Sequence, residues 1–444
     1  MSSIFGKMKS ICDRIYSVGK KVILHPAMIY SLLVFSVLNA TLRFTESGMT
    51  TLFRILAPFV FLFVICSDFK AYKKDIMVIL IAIAYSVVVS LVFYQHIAVN
   101  MLAFLMYLFA LYVFMKHLLR TDTQFEKNFW NFINTVTICT LILCWIQYFN
   151  RVAYPYLELA ADPGVNVFMS NENELAEPLC CMLIIYLFKV LFQRKWQYLL
   201  IAVNILFFTY INDAKMCLIG ATVGICLLGL FYLYTVIRKK SEKAGKVYAI
   251  GVPTLFVVGL MLLIIVNPSF KFRDYSISVD ELVFDNIRRI IMLDLIEGSG
   301  GSMMDRTNAI IYGLMELRRS KFFGIGWGNS VTMLAMPEFH LATAKSMHNI
   351  IMQFLVEFGF LAIFVYYKIV RWLISAVKRI NENHFFIAKI VFAASFIFFS
   401  SQSSVGILSN YYTWIVVFYL FLITGEYHTT QGERKKALWK RSAR

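Results

Sequence analysis

IMVILIAIAYSVVVSLVFY, residues 76–94, is an apolar run without one charged side chain. A bilayer core of roughly 30 Å takes about 20 such residues as a helix, so this run reads as a membrane span. Eleven further runs read the same way on either side of it: 22–42, 51–67, 99–119, 129–149, 175–192, 197–211, 215–237, 247–266, 348–372, 385–401 and 407–423. The 444 residues are 59% hydrophobic and 16% charged, with mean hydropathy +0.69. Soluble domains are about half apolar and about a quarter charged. A water-soluble globule of this composition would carry apolar surface it could not cover, which excludes a soluble multidomain enzyme. The expectation is an all-α polytopic membrane protein with twelve transmembrane helices and one large helical extracytoplasmic loop.

The formal charge of +17 would suit nucleic acid only if the lysines and arginines shared a face or groove. They alternate between connections instead. The segments 1–21, 68–75, 116–127, 189–195, 238–246, 368–383 and 426–444 hold 29 basic and 9 acidic residues, while the opposite side holds 13 and 17. Lys and Arg accumulate on the cytoplasmic side of a membrane, so both termini are expected inside and nucleic acid is not a partner. Five basic residues in 1–21, with no small-residue cleavage site after them, read as a cytoplasmic tail. The expected organisation is spans one to nine in 1–266, an external loop over 267–347, spans ten to twelve in 348–425, and a basic cytoplasmic tail in 426–444. Seven of the eight cysteines lie inside apolar runs and read as small buried hydrophobes.

The connection 267–347 is far longer than the others, and long connections in membrane and soluble domains alike tend to carry function. Helical periodicity predicts amphipathic helices over 278–296 and 305–320, the second with Asp305 as N-cap and Gly324 as its stop. Its nine basic and nine acidic residues cancel, so local placement decides what it does. A guanidinium offers a planar fork of donors matched to phosphate oxygens, which makes Arg288, Arg289, Arg306, Arg318 and Arg319 the candidates. Arg318 and Arg319 in a last helical turn complement the helix dipole; Arg306 near a helix start does not, and needs another reason. His348 opens the tenth run where loop meets membrane, and a neutral imidazole can handle a hydroxyl proton. His340 lies too far upstream to form an i, i+4 metal pair with it. Lys215 follows the polar island Asn212–Asp213–Ala214, where it either serves a site or simply pairs with Asp213. Asn171, Asn173 and their acidic neighbours form a hydrogen-bonding cluster of the sort that recognises sugars, or a polar turn capped by Ser170. Phosphate-loop, dinucleotide, zinc-protease and serine-hydrolase signatures do not occur.

Three fragments occur in a fixed order: Asp305, Arg306 and Thr307 running on to Ile311 and Tyr312; then Phe323, Gly324, Ile325, Gly326, Trp327, Gly328 and Asn329; then His348, Asn349 and Ile350 running on to Glu357, Phe358 and Gly359. Together with their place in one external loop before a late span, they resemble the O-antigen polymerase and O-antigen ligase superfamily of bacterial membrane glycosyltransferases. Lys215 stands where many relatives carry arginine, which keeps the charge and loses the fork. The resemblance implies an enzyme of the bacterial plasma membrane, in surface-polysaccharide (lipopolysaccharide) biosynthesis, that joins undecaprenyl-pyrophosphate-linked oligosaccharides on the periplasmic or exterior face. It implies no nucleotide sugar, no metal and no cofactor, with membrane lipid and a chain-length regulator as partners. His348 and Arg306 would be catalytic; Arg306, Lys215, Arg289 and Arg318 would hold the pyrophosphate; Asn171, Asn173 and Asn349 would hold sugar. A ligase acting on lipid A-core is the alternative within the resemblance. A flippase for the same lipid-linked sugars is the alternative outside it, disfavoured because the two halves show no repeat.

Overall fold

The computed structural model describes residues 21–40, 42, 50–150, 164–167, 169, 172–267, 269–272, 275–278, 285–296, 302–336, 341, 347–381, 383–401 and 410–425. Among the described residues, nine α-helices occupy the first part of the chain: α1 Pro26–Val37, α2 Leu52–Ser67, α3 Phe69–Val89, α4 Val99–Thr121, α5 Phe125–Asn150, α6 Glu172–Gln193, α7 Gln197–Ile211, α8 Lys215–Lys240 and α9 Glu242–Val266. Side chains cap the starts of several: the Thr51 hydroxyl accepts from the Arg54 N–H at 3.3 Å, and the Asp68 carboxylate accepts from the Ala71 N–H at 3.3 Å. At its far end α3 relaxes into a π turn over Ser90–Tyr94.

Six described helices are long and apolar enough to cross a membrane, and five shorter ones are similarly apolar. In α6 nearly every residue from Leu175 to Val190 is buried, because α7, α8, α15 (Phe385–Phe399) and α16 (Tyr411–Gly425) all pack on it. The outer faces carry the reverse pattern: Leu80, Ile81 and Val88 of α3 and Leu255, Leu262 and Ile265 of α9 are all exposed. Surfaces as apolar as these do not persist in water, and hydrocarbon is the solvent they suit. The described chain is thus that of a helical membrane protein.

The long connection departs from the sequence expectation in three places. It opens with an antiparallel hairpin, β1 Ser269–Phe272 against β2 Tyr275–Ser278, and of the described residues in 278–296 those of α10, Asn286–Met292, form α-helix. Apolar residues alternate with polar ones through these strands, a period of two that overlaps the start of the helical pattern. The next helix, α11, runs Ser302–Arg319, so Asp305 lies in its first turn and is not the cap, and Arg306 follows it inside the helix. It stops well before Gly324. The Phe322 N–H bonds the Leu317 carbonyl at 2.9 Å and the Lys321 N–H bonds that of Arg318 at 3.0 Å, a Schellman closure with Lys321 itself left-handed at φ 52°.

The expected span 348–372 is also broken. It forms α13, Ile350–Phe358, and α14, Phe360–Lys378, separated by Gly359 at φ 55°, after a short helix α12, Asn329–Leu334. The break is made by tertiary contact. Gly324 to Gly328 wraps the end of α13, with Ile325 N–H donating to the Val356 carbonyl at 3.1 Å and Gly326 N–H to that of Glu357 at 2.9 Å.

Candidate functional site

Arg306 differs from the other cations of this region. It is half-buried on α11, and its Nε is fully buried with no hydrogen-bond partner among the described residues. Burial pushes the guanidinium below its usual pKa, and no acidic neighbour among the described residues pulls the other way. Arg289 is the opposite case. It pairs with Asp285 at 2.8 Å and reaches Asp294 at 3.8 Å, and the Asp285 hydrogen bond raises its pKa. Arg318 is exposed at the helix end beside Arg319, which pairs with Glu316 at 3.5 Å. Lys215 pairs with Asp213 at 3.2 Å, both side chains mostly in solvent, and α8 packs chiefly on α6, α7, α9 and α15. Thus α8 and Arg306 stand in different packing neighbourhoods, since α11 packs on α10, α12 and α13.

His348 belongs to the same packed unit as Arg306. Its neighbour Met347 is buried against α11, where a Cβ on Gly313 would collide with the Met347 methyl and press on Val356. Gly313 is seven residues on from Arg306, hence on the same helix face and about 10 Å along the axis. His348 is held at φ 46°, a left-handed conformation that costs a non-glycine residue of order 1 kcal/mol and that surrounding structure must enforce. Asn349, the adjacent residue, caps α13 by accepting from the Met352 N–H at 3.0 Å, so its side chain is engaged in the fold.

The glycine strap fixes this unit to the bundle. Gly324, Gly326 and Gly328 have φ of 92°, 90° and 80°, and a Cβ at Gly326 would meet the Ser86 carbonyl at 2.9 Å. Trp327 donates its N–H to the Ser86 hydroxyl at 2.7 Å and its indole N–H to the Met101 carbonyl at 2.7 Å. Asn329 donates to Ser90, to the His96 carbonyl and to the Ile325 carbonyl at 2.7–3.0 Å. Fully buried Glu357 accepts from the Ser330 hydroxyl and, at 3.1 Å, from the Gln353 amide. Beside Gln353 and Trp327 lies an apolar groove of about 270 Å³ lined also by Leu105, Leu108, Phe354 and Trp414.

Of the residues expected to bind sugar, Asn171 lies outside the described residues. Asn173 is half-buried in the first turn of α6, where Asn410 donates to the Glu174 carbonyl at 2.7 Å and to the Glu177 carboxylate at 3.4 Å. Arg54 of α2 is buried, with its guanidinium 4.5 Å from the ring centroid of Phe104 on α4, one turn from the Trp327 contact at Met101. The sequence reading counts Arg54 only in the charge balance, sets Glu177 beside the polar cluster and quotes Glu357 within the third fragment, and gives none of the three a role of its own, although an ionisable residue inside an apolar run is itself a signal. Among the described residues no group of three or more His, Cys, Asp or Glu side chains is placed to hold a metal ion. No protein-family model and no curated protein matches this chain.

Proposed function

We propose that the chain is a surface-polysaccharide polymerase of the O-antigen type, a metal-independent glycosyltransferase that joins undecaprenyl-pyrophosphate-linked repeat units. The observation that carries this reading is the desolvated guanidinium of Arg306, which has no carboxylate partner among the described residues and shares the α11–α13 unit with His348. A half-buried cation without a counter-charge is unfavourable on its own and favours an anionic ligand. In the reaction, an acceptor sugar hydroxyl attacks the anomeric carbon of the donor, His348 takes the hydroxyl proton, and the bond to the lipid pyrophosphate oxygen breaks. Charge grows on the departing pyrophosphate, so a preplaced guanidinium stabilises the transition state more than the ground state. The groove beside Trp327 and Gln353 suits a prenyl tail. Lys215, Arg289 and Arg318 are solvated, paired or terminal, and in this reading they are not the principal phosphate contacts.

The reading includes twelve spans with both termini cytoplasmic in the bacterial plasma membrane and the Arg306 unit on the periplasmic or exterior face, from the 29-to-9 charge asymmetry of the opposite connections. Deleting the gene in its native strain tests the function. A polymerase leaves surface glycan of single repeats. Long polymer stranded on undecaprenol would indicate a ligase instead, and lipid-linked repeats retained on the inner face would indicate a flippase.

A further inference from the structure

We infer that the opposite end of the bundle holds a second anion site, a cavity between the α4–α5 and α6–α7 turns that takes a phosphate group against Lys189. This inference is independent of the polymerase reading, since it uses none of the α11–α13 residues. The cavity measures about 670 Å³ and is lined by polar side chains, a size in the usual range for small-molecule sites. Lys189, near the end of α6, is only 5% exposed. Its ammonium lies 3.1 Å from the Trp130 ring centroid and 4.8 Å from that of Tyr198. Among the described residues no carboxylate lies within ion-pair distance of it.

The acidic residues of this cavity do not fill that role. Asp122 already accepts from the Tyr30 hydroxyl at 3.2 Å, the Gln124 N–H at 2.9 Å and the Asn128 amide at 2.9 and 3.1 Å. Glu126 is exposed on the rim. Lys127 and Lys195, also exposed, line the same hollow and add two positive charges to the buried one. Aromatic faces offset part of the cost of burying an ammonium, yet less than a counter-ion does, so the arrangement is completed by an anion entering from the open side. A phosphate monoester matches three converging lysines and the neutral donors Asn131, Thr123 and Gln124 on the wall. Exposed Trp196 at the rim sits where the headgroup layer would be, so the phosphate can come from a lipid headgroup or from a soluble phosphorylated molecule.

The test uses the full chain in phosphatidylcholine nanodiscs with two probes: phosphatidic acid, followed by native mass spectrometry, and glycerol 3-phosphate, followed by calorimetry. Saturable retention of phosphatidic acid alone assigns the headgroup source, and binding of glycerol 3-phosphate assigns the soluble one; either supports the site. Lys189→Met is expected to weaken binding at least about tenfold, with Lys189→Arg retaining most of it. Should Lys189→Met fail to fold, the exposed double variant Lys127→Met/Lys195→Met is expected to weaken binding severalfold and to flatten its salt dependence. Absence of saturable binding of either probe, or unchanged affinity in Lys189→Met or in the double variant, overturns the inference.

Discussion

Asn329 and Ser90 lie 239 residues apart, and the Asn329 side-chain amide donates to the Ser90 hydroxyl at 3.0 Å. Ser90 opens the π turn at the end of α3, and Asn329 follows the glycine strap that clasps α13. This buried bond, with those of Trp327 to Ser86 and Met101, ties the unit bearing Arg306 and His348 to the membrane bundle, at a helix irregularity of the kind that often accompanies function.

The strap depends on glycine for space as well as for φ. Gly326→Ala is expected to destabilise the protein by about 2 kcal/mol or more, because φ 90° is strained for alanine and the new Cβ meets the Ser86 carbonyl. Gly229 in α8 has open space around it, so Gly229→Ala is expected to gain up to about 1 kcal/mol. Thermal unfolding in detergent checks both, and equal midpoints for the two variants would contradict the account.

Glu357 accepts from the buried donors Ser330 and Gln353. Glu357→Ala leaves those donors without their acceptor and is expected to cost about 2–3 kcal/mol, whereas Glu357→Gln retains an acceptor oxygen and is expected to lose less. Denaturant midpoints for the pair measure the difference.

Lys321 occupies the left-handed position that closes α11. Lys321→Gly is expected to stabilise the protein by about 1 kcal/mol by relieving that strain and, since the side chain is exposed, to leave the proposed polymerase activity unchanged. A lower melting temperature in Lys321→Gly would contradict the closure described.

These outcomes bear on what a reader of the sequence can see. Helices are legible because lipid demands long apolar runs: Val99–Thr121 follows its run closely, while Phe69–Tyr94 contains the run 76–94 and starts seven residues before it. The break at Gly359 is not legible, since 348–372 is apolar on both sides and the interruption comes from Ile325 and Gly326 bonding across from another segment. Arg306 was legible as a cation in an unfavourable place, but whether it had a partner depended on the fold. For Arg289 the partner stood in plain view, as Asp285 one helical turn before it. The sequence leaves open whether Lys215 pairs with Asp213, and the structure shows that exposed pair. Arg54, Glu177 and Glu357 are visible in the sequence without a role of their own, and only the fold shows that all three are buried.

A cation kept for a ligand carries a stability cost when the ligand is away. Arg306→Met keeps the apolar stem and removes the uncompensated charge, so it is expected to raise ligand-free stability by about 1 kcal/mol and, under the proposed function, to abolish polymer in the native strain. A variant that is both less stable and fully active would contradict this trade.

The most direct test is the affinity of the purified chain, in nanodiscs, for undecaprenyl pyrophosphate. Wild-type protein is expected to bind it saturably, Arg306→Lys more weakly, and Arg306→Ala at least about tenfold more weakly. Affinity unchanged in Arg306→Ala would contradict the assignment of this guanidinium to the leaving pyrophosphate.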